Sequence, residues 1–309
     1  MMKAIRDSYA EALVELAADH DFYVMDADLA KATKTAVFQK AYPHRFIDMG
    51  IAEANMYGYA AGISTCGVPV FASTFSAFAA GRAYDQIRNS IAYPHNHVII
   101  AATHGGILIG ADGGSHQCVE DIALMRAIPQ MTVLCPCDDA ETKACVKAAL
   151  QHREGPVYLR IGRSEVPELF TDGVDFQIGK GDVLRDGADV TIIAVGEMVW
   201  RAAEAAERLA EQGVDAAVIS MASIKPIDAD LITAYAGKTG RIVTVEDHNV
   251  HGGLGSAVSE VTARRCPVPV EMVGVADRFG CSGSPEKLAE LYGLTTGDIV
   301  AAVEKVMKR

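Results

Sequence analysis

The sequence predicts an α/β protein of two layered domains, the first built on a mostly parallel sheet and the second smaller. Three observations predict it. Short β-rich runs alternate with longer helix-patterned segments, twice along the chain, which is the trace that strands and crossover helices of a layered sheet leave in sequence. A polar stretch rich in Gly and Asp, "RSEVPELFTDGVDFQIGKGDVLRDGAD" at residues 163–189, divides the two runs. The 309 residues also exceed what a single core usually organises. The expected division is a first domain over 1–165, a linker over 166–188 and a second domain over 189–309.

The first element is a helix. In "MMKAIRDSYAEALVELAADH" the apolar residues Ile5, Tyr9, Leu13 and Leu16 fall on one face, and charges from Lys3 onward are unlike a secretory leader. The strands of the first domain are "FYVMDAD", "RFIDMG", "VPVFAS", "HVIIAAT", "MTVLCP" and "PVYLRIG", with helix-like segments between them. The linker has weak periodicity and room for a short strand or two. In the second domain "DVTIIAVG" precedes a helix at 197–212. Then come "VDAAVIS", "GRIVTVED", a helix from residue 254, "VEMVGVA" and a closing helix at 295–308.

Charge and composition exclude several partners. Against 40 acidic residues stand 28 basic ones, and no basic block interrupts that balance, so neither nucleic acid nor an anionic membrane is expected to bind. No apolar run approaches the roughly 18 residues of a membrane span. The seven cysteines are odd in number and lack the spacing of a disulfide frame or a zinc site, which points to a reducing, cytoplasmic setting. Cys135 and Cys137, the closest pair, end an apolar run and read as packing residues.

Candidate chemistry concentrates in a few strings. "FIDMGIAEANMYGYAAGI" sets Glu53 among small and apolar residues, where an unpaired carboxylate is costly and so calls for a use. "ATHGGILIGADGGSHQ" leaves a strand with His104, Asp112, His116 and five glycines; strand ends in parallel sheets open onto the binding crevice, and imidazoles with a carboxylate bind hydroxyls and carry protons. Phe75 and Phe78 follow another strand and can offer a flat stacking face. Arg160 and Arg163 at a strand end, and Arg6 in the first helix, are candidates for holding a phosphate or sulfonate. "HGGLGSA" at 251–257 lacks the third glycine of a dinucleotide fingerprint and reads as a tight turn into a helix. His248 and His251 lack a third ligand, so no metal is expected on them.

Taken in order, "FIDMGIAEANM", "STFSAFAAGRAYDQIR", "ATHGGILIGADGGSHQ", "RAIPQMTVLCPCDDAE", "YLRIGRSEVPELF" and "VEDHNVHGGLGSAV" resemble the C-terminal half of transketolase, over nearly the whole chain. The chain is similar to the separate C-terminal subunit of a split transketolase, with a thiamine diphosphate pyrimidine-binding domain followed by that family's C-terminal domain. The resemblance implies an enzyme that moves a two-carbon ketol unit from an anionic ketose donor to an aldose acceptor. It places Glu53 on the aminopyrimidine of thiamine diphosphate, where it helps the cofactor's thiazolium carbon lose its proton, with Phe75 and Phe78 around that ring and Asp28 nearby. By the same resemblance His104, Asp112 and His116 line the sugar channel, the two histidines serving catalysis, and Arg163 and Arg6 bind the phosphate. Ala32 departs from the pattern, since related chains often carry a phosphate-binding serine there, which leaves a sulfonate or another terminal group open.

One motif of such enzymes is missing. "GADGG" is the nearest string to the GDG that holds the diphosphate and Mg2+, and no Asn occurs between Asn96 and Asn249 to complete it. In the family that motif sits on the N-terminal half. The resemblance therefore implies a partner, an N-terminal transketolase subunit carrying GDG and its Asn, in a heterotetramer of two copies of each chain. The beta chain of a 2-oxo acid dehydrogenase has the same two-domain plan, but "ATHGGILIGADGGSHQ" favours transketolase. A deoxyxylulose phosphate synthase is disfavoured because it is usually one chain, and a non-catalytic scaffold because the site residues are kept.

Overall fold

The structure, a computed structural model, describes residues 2–309. Its strands are β1 (Met2–Ala4), β2 (Tyr23–Asp26), β3 (Phe46–Asp48), β4 (Val70–Phe75), β5 (Val98–Thr103), β6 (Thr132–Leu134), β7 (Val157–Ile161) and β8 (Glu165–Pro167). They continue with β9 (Asp182–Arg185), β10 (Val190–Ala194), β11 (Ala216–Ser220), β12 (Ser223–Lys225), β13 (Ile242–Asn249) and β14 (Val270–Val275). A seven-stranded sheet runs β12-β6-β7-β5-β4-β2-β3 and a five-stranded sheet runs β14-β13-β10-β11-β9. All pairings within these two sheets are parallel except β12 on β6 and β9 on β11, both antiparallel and both at an edge. The expected mixed α/β architecture with mostly parallel sheets is the one observed.

The central strands explain why the alternation was readable. Every residue of β4, β5, β7, β10 and β11 is buried, as expected of parallel strands covered by helices on both faces. The helix Ile5–Leu16 buries Ile5, Tyr9 and Leu13, while Leu16 is only partly covered. The helix expected at 197–212 runs Val199–Glu211 after a short 3-10 turn at Gly196–Met198. The closing helix, Thr296–Val306, starts at a capping box formed by Thr295 and Asp298.

The stretch with room for a short strand or two holds β8 and β9, whereas the short strands β1 and β12 were not visible in the sequence. Strands β1 and β8 pair antiparallel, with Met2 opposite Pro167, and tie the start of the chain to the residues after β7. Strand β12 leaves the second run of elements to cover the edge of the first sheet at β6. Buried apolar contacts follow the same path, since one cluster joins Ile128, Val133 and Cys135 to Ile193, Ile219 and Ile224. The two sheets are thus packed into one another.

This topology positions the site. Strand β3 lies on one side of β2 and β4 on the other, so a crevice opens at the carboxyl ends where the winding reverses. Asp28, Phe75, His104 and Arg163 all stand at or just beyond the ends of β2, β4, β5 and β7.

Candidate active site

Glu53 is the first residue of the helix Glu53–Ser64, whose buried face is Met56, Tyr57, Ala60, Ala61 and Ser64. A carboxylate in the first turn suits the helix dipole. The side chain is 2% exposed, yet it is not unpaired as the sequence suggested: Arg82 Nη1 donates to both its oxygens, at 2.8 and 2.9 Å. Arg82 belongs to a π-helical segment, Ala77–Arg82, a conformation that adds a residue per turn and recurs at functional sites. The same segment carries Phe78, whose ring stacks on Phe75 with centroids 5.7 Å apart, while the Arg82 guanidinium lies 4.5 Å from the Phe78 centroid.

The aromatic pair continues into the histidines. His104 stacks on Phe75 at 3.9 Å, and His116 meets the edges of Phe75 and Phe78 at 6.0 and 5.4 Å. His104 adopts a left-handed backbone, φ 59°, a conformation that a residue other than Gly holds only when its surroundings fix it. Its Nε2 accepts from Arg6 at 3.4 Å, which leaves Nδ1 to donate to the Thr103 hydroxyl at 2.9 Å. Burial, then Arg6, Arg163 and His116, push the His104 pKa down to about 3. The ring is therefore neutral at physiological pH and acts as a hydrogen-bonding group.

Two arginines converge beside it. Arg6 donates to the Ala32 carbonyl at 3.0 Å and keeps a buried Nε without a partner. Burial and then the nearby Arg163 hold its pKa below the ordinary value. Arg163 donates to the Ile109 carbonyl and lies 3.3 Å from Asp112. It also lines a 460 Å³ cleft with Ser164, Gly110 and Ser284. Asp28, exposed at φ 62°, lines a separate 540 Å³ cleft with Ala32 and Asp48. The sequence reading missed Asp26, the buried carboxylate beneath it. Asp26 accepts from Leu29 N, Thr33 Oγ1 and Thr35 Oγ1 at 2.7, 2.7 and 2.8 Å and so fixes the loop carrying Asp28 and Ala32. Burial raises its pKa to about 6. The string "DADLAKATKT", an Asp followed by two Thr, was its signal.

Arg160 corrects an expectation. It is 2% exposed and pairs with Asp121 at 2.9 Å and Asp247 at 2.7 Å, with Tyr158 donating to the same Asp121. It is a buried strut between the two sheets and is closed to a phosphate. Two glycines make room for this contact. A Cβ on Gly106 would collide with an Asp247 oxygen, and one on Gly105 would lie 2.7 Å from Arg160 Nε. "HGGLGSA" does open a helix, Leu254–Arg265, but Glu246 takes its N-terminus by accepting from Leu254 N and Gly255 N. A phosphate would have to displace that carboxylate. His248 is buried and His251 exposed, and no cluster of three metal-ligating side chains occurs among the described residues. Cys135 and Cys137 are buried, with pKa values raised by burial, as packing residues would be.

The buried carboxylates Glu141, Glu197 and Glu246 are each raised from 4.5 to about 7, chiefly by burial. The folded chain thus keeps protons that the unfolded chain has lost, so the stability these groups contribute is complete below pH 4.5 and drains as pH rises through 7. His104 acts in the opposite sense, losing its contribution as pH falls from 6.5 towards 3. Glu141 accepts from Cys137 N and from Ser220 of the second sheet. In urea titrations at pH 5.5 and 8, Glu141→Gln is expected to lose less stability than wild type over that interval. An unchanged interval would contradict the assignment.

The family signature described as transketolase, pyrimidine binding domain, matches residues 1–168, and that of the transketolase C-terminal domain matches residues 179–299. A solved split-gene transketolase, an inactive β4 tetramer, is 53% identical, with a TM-score of 0.92 over 99% of this chain and 98% of that one. A 6-deoxy-6-sulfo-D-fructose transketolase subunit from Clostridium sp. is 42% identical, covering 99% of this chain and 95% of that protein. An apulose-4-phosphate transketolase subunit from Phocaeicola vulgatus is 37% identical, covering 100% and 99%. No helix among the described residues is long and apolar enough to cross a membrane. The chain belongs to the transketolase family, as a C-terminal subunit of the split kind.

Proposed function

We propose that the chain, together with an N-terminal subunit, transfers a two-carbon ketol unit from an anionic ketose to an aldose. The observation that carries this reading is the corner where Arg82 joins buried Glu53 to the face of Phe78, with His104, His116, Arg6 and Arg163 on the adjoining wall. In this reading residues 1–165 form the pyrimidine-binding domain, 166–188 a linker and 189–309 the C-terminal domain.

The family generally uses thiamine diphosphate and a divalent metal, and the donor set fits one end of that cofactor. An aminopyrimidine is flat with polar edges, so it needs an aromatic face and a hydrogen-bonding carboxyl group beside it, and Phe75, Phe78 and Glu53 supply both. When bound, thiamine diphosphate supplies the reactive carbon and the electron sink for breaking the bond next to a ketone. Glu53 hydrogen-bonds the ring nitrogen and so governs the proton at that edge. Neutral His104, together with His116, holds substrate hydroxyls, with Asp112 on a donor hydroxyl and Asp28 beside the cofactor. The GDG motif being absent from the sequence, the partner chain contributes the diphosphate and Mg2+ site, in an assembly of two heterodimers.

Arg6 and Arg163 take the donor's terminal anion. The relatives' names include both a sulfo sugar and a sugar phosphate, and Ala32 lacks the hydroxyl that would favour one of them, so either anion is a candidate. The test is transfer of 13C from C1 and C2 of a ketose phosphate or sulfonate to an aldose, by the chain mixed with its partner. No transfer from either donor class would defeat the proposal. In the same assay Arg163→Ala is expected to raise KM for a charged donor about 10- to 100-fold, the value of a hydrogen bond to a charged group, while sparing an uncharged one. An unchanged KM and kcat for the charged donor would remove Arg163 from the site.

A further inference from the structure

We infer that Arg82 is a placeholder for the cofactor's pyrimidine ring: it occupies Glu53 and the Phe78 face in the cofactor-free chain and must swing away from both for the ring to enter. The inference rests on the proposed role of Glu53 and Phe78 as the pyrimidine pocket. Two independent contacts locate the guanidinium, the hydrogen bonds from Nη1 to both Glu53 oxygens and the 4.5 Å approach to the Phe78 ring. The other face of the aromatic pair is closed, because Phe75 lies between Phe78 and His104. A flat ring that reaches both Glu53 and Phe78 therefore claims the volume that Arg82 fills.

The chemistry of the guanidinium supports exchange. It is planar, presents N–H donors at its edge and stacks by its face on aromatic rings, which are the same demands that an aminopyrimidine makes on a carboxylate and a phenyl group. Arg82 thus keeps the buried Glu53 paired while the pocket lacks its ligand. It can also leave when the ring arrives: its own side chain is 51% exposed and readily solvated, while Glu53, 2% exposed and costly to leave unpaired, passes directly to the incoming ring. Its neighbour Gly81 is exposed, and a Cβ built there meets nothing within 4 Å, so open space adjoins the segment.

A placeholder and a ligand-binding residue predict opposite signs. Calorimetry and stopped-flow mixing of thiamine diphosphate with Mg2+ and the reconstituted two-chain complex compare wild type, Arg82→Gln and Arg82→Lys. Arg82→Gln is expected to bind the cofactor about tenfold more tightly and to associate faster, since the competitor is weakened and the cofactor-free state has lost its charge pairing. Arg82→Lys, which keeps the charge but not the flat face, should fall between it and wild type. Weaker binding by Arg82→Gln would show that Arg82 holds the cofactor, and equal affinity and rate would show that it is clear of the pocket. Either result overturns the inference. Glu53→Gln measured alongside separates the two proposals. If it leaves cofactor affinity and hydrogen exchange at the thiazolium carbon unchanged, the pocket assignment itself fails, whereas an impaired Glu53→Gln beside an unchanged Arg82→Gln rejects only the placeholder.

Discussion

Replacing Glu53 by Gln is expected to slow proton–deuterium exchange at the cofactor's thiazolium carbon by about 10²- to 10⁴-fold, the usual span of an acid–base contribution. The change keeps the size and shape of the side chain, and its remaining carbonyl oxygen still accepts from Arg82. It removes the acid that can hold a proton at the pyrimidine edge. Folding and partner binding should survive, because the pairing group is half exposed and such ion pairs contribute about 0–1 kcal/mol. A residue that only filled space at the helix start would show neither a stability change beyond about 0.5 kcal/mol nor any kinetic effect. Exchange measured by NMR in the reconstituted complex decides between them. Equal rates for wild type and Glu53→Gln would assign the carboxylate another purpose.

Arg160→Ala is expected to cost about 3–5 kcal/mol of stability, the typical loss when one member of a buried charge cluster is removed. Asp121 and Asp247 would be left in the interior facing each other's charge, with Tyr158 donating to the first alone. Because Arg160 stands on β7 and Asp247 on β13, the loss falls on the contact between the sheets. Urea unfolding of Arg160→Ala is the measurement, with Arg163→Ala as the control for an arginine near solvent. A loss under about 1 kcal/mol would show that the cluster does not hold the sheets together.

These two arginines show how far the sequence was legible. Both lie in "YLRIGR", and nothing local says that one ends in a buried cluster and the other at a cleft. The difference is made by Asp121 and Asp247, which reach Arg160 from remote parts of the chain. Strands such as β4 and β5 were readable because burial on both faces forces continuous apolar composition. Strands β1 and β12 have three residues each and exist only through distant pairing, so neither period nor propensity could reveal them. Glu53, Phe75, Phe78, His104 and His116 do come together in space as the motifs suggested. Arg82 was missed because its meeting with Glu53 depends on a π-helical turn, which composition does not announce. Asp26 was passed over for the more exposed Asp28, since burial at a strand end is settled by what packs above it.

The central claim is that this chain carries only one part of a shared cofactor site. Calorimetric titration of thiamine diphosphate with Mg2+ into the isolated chain, and into the chain mixed with its N-terminal partner, tests it most directly. The account predicts a folded chain with weak binding at best when alone, and tight, Mg2+-dependent binding once the partner is present. Tight, Mg2+-dependent binding by the chain alone would contradict it.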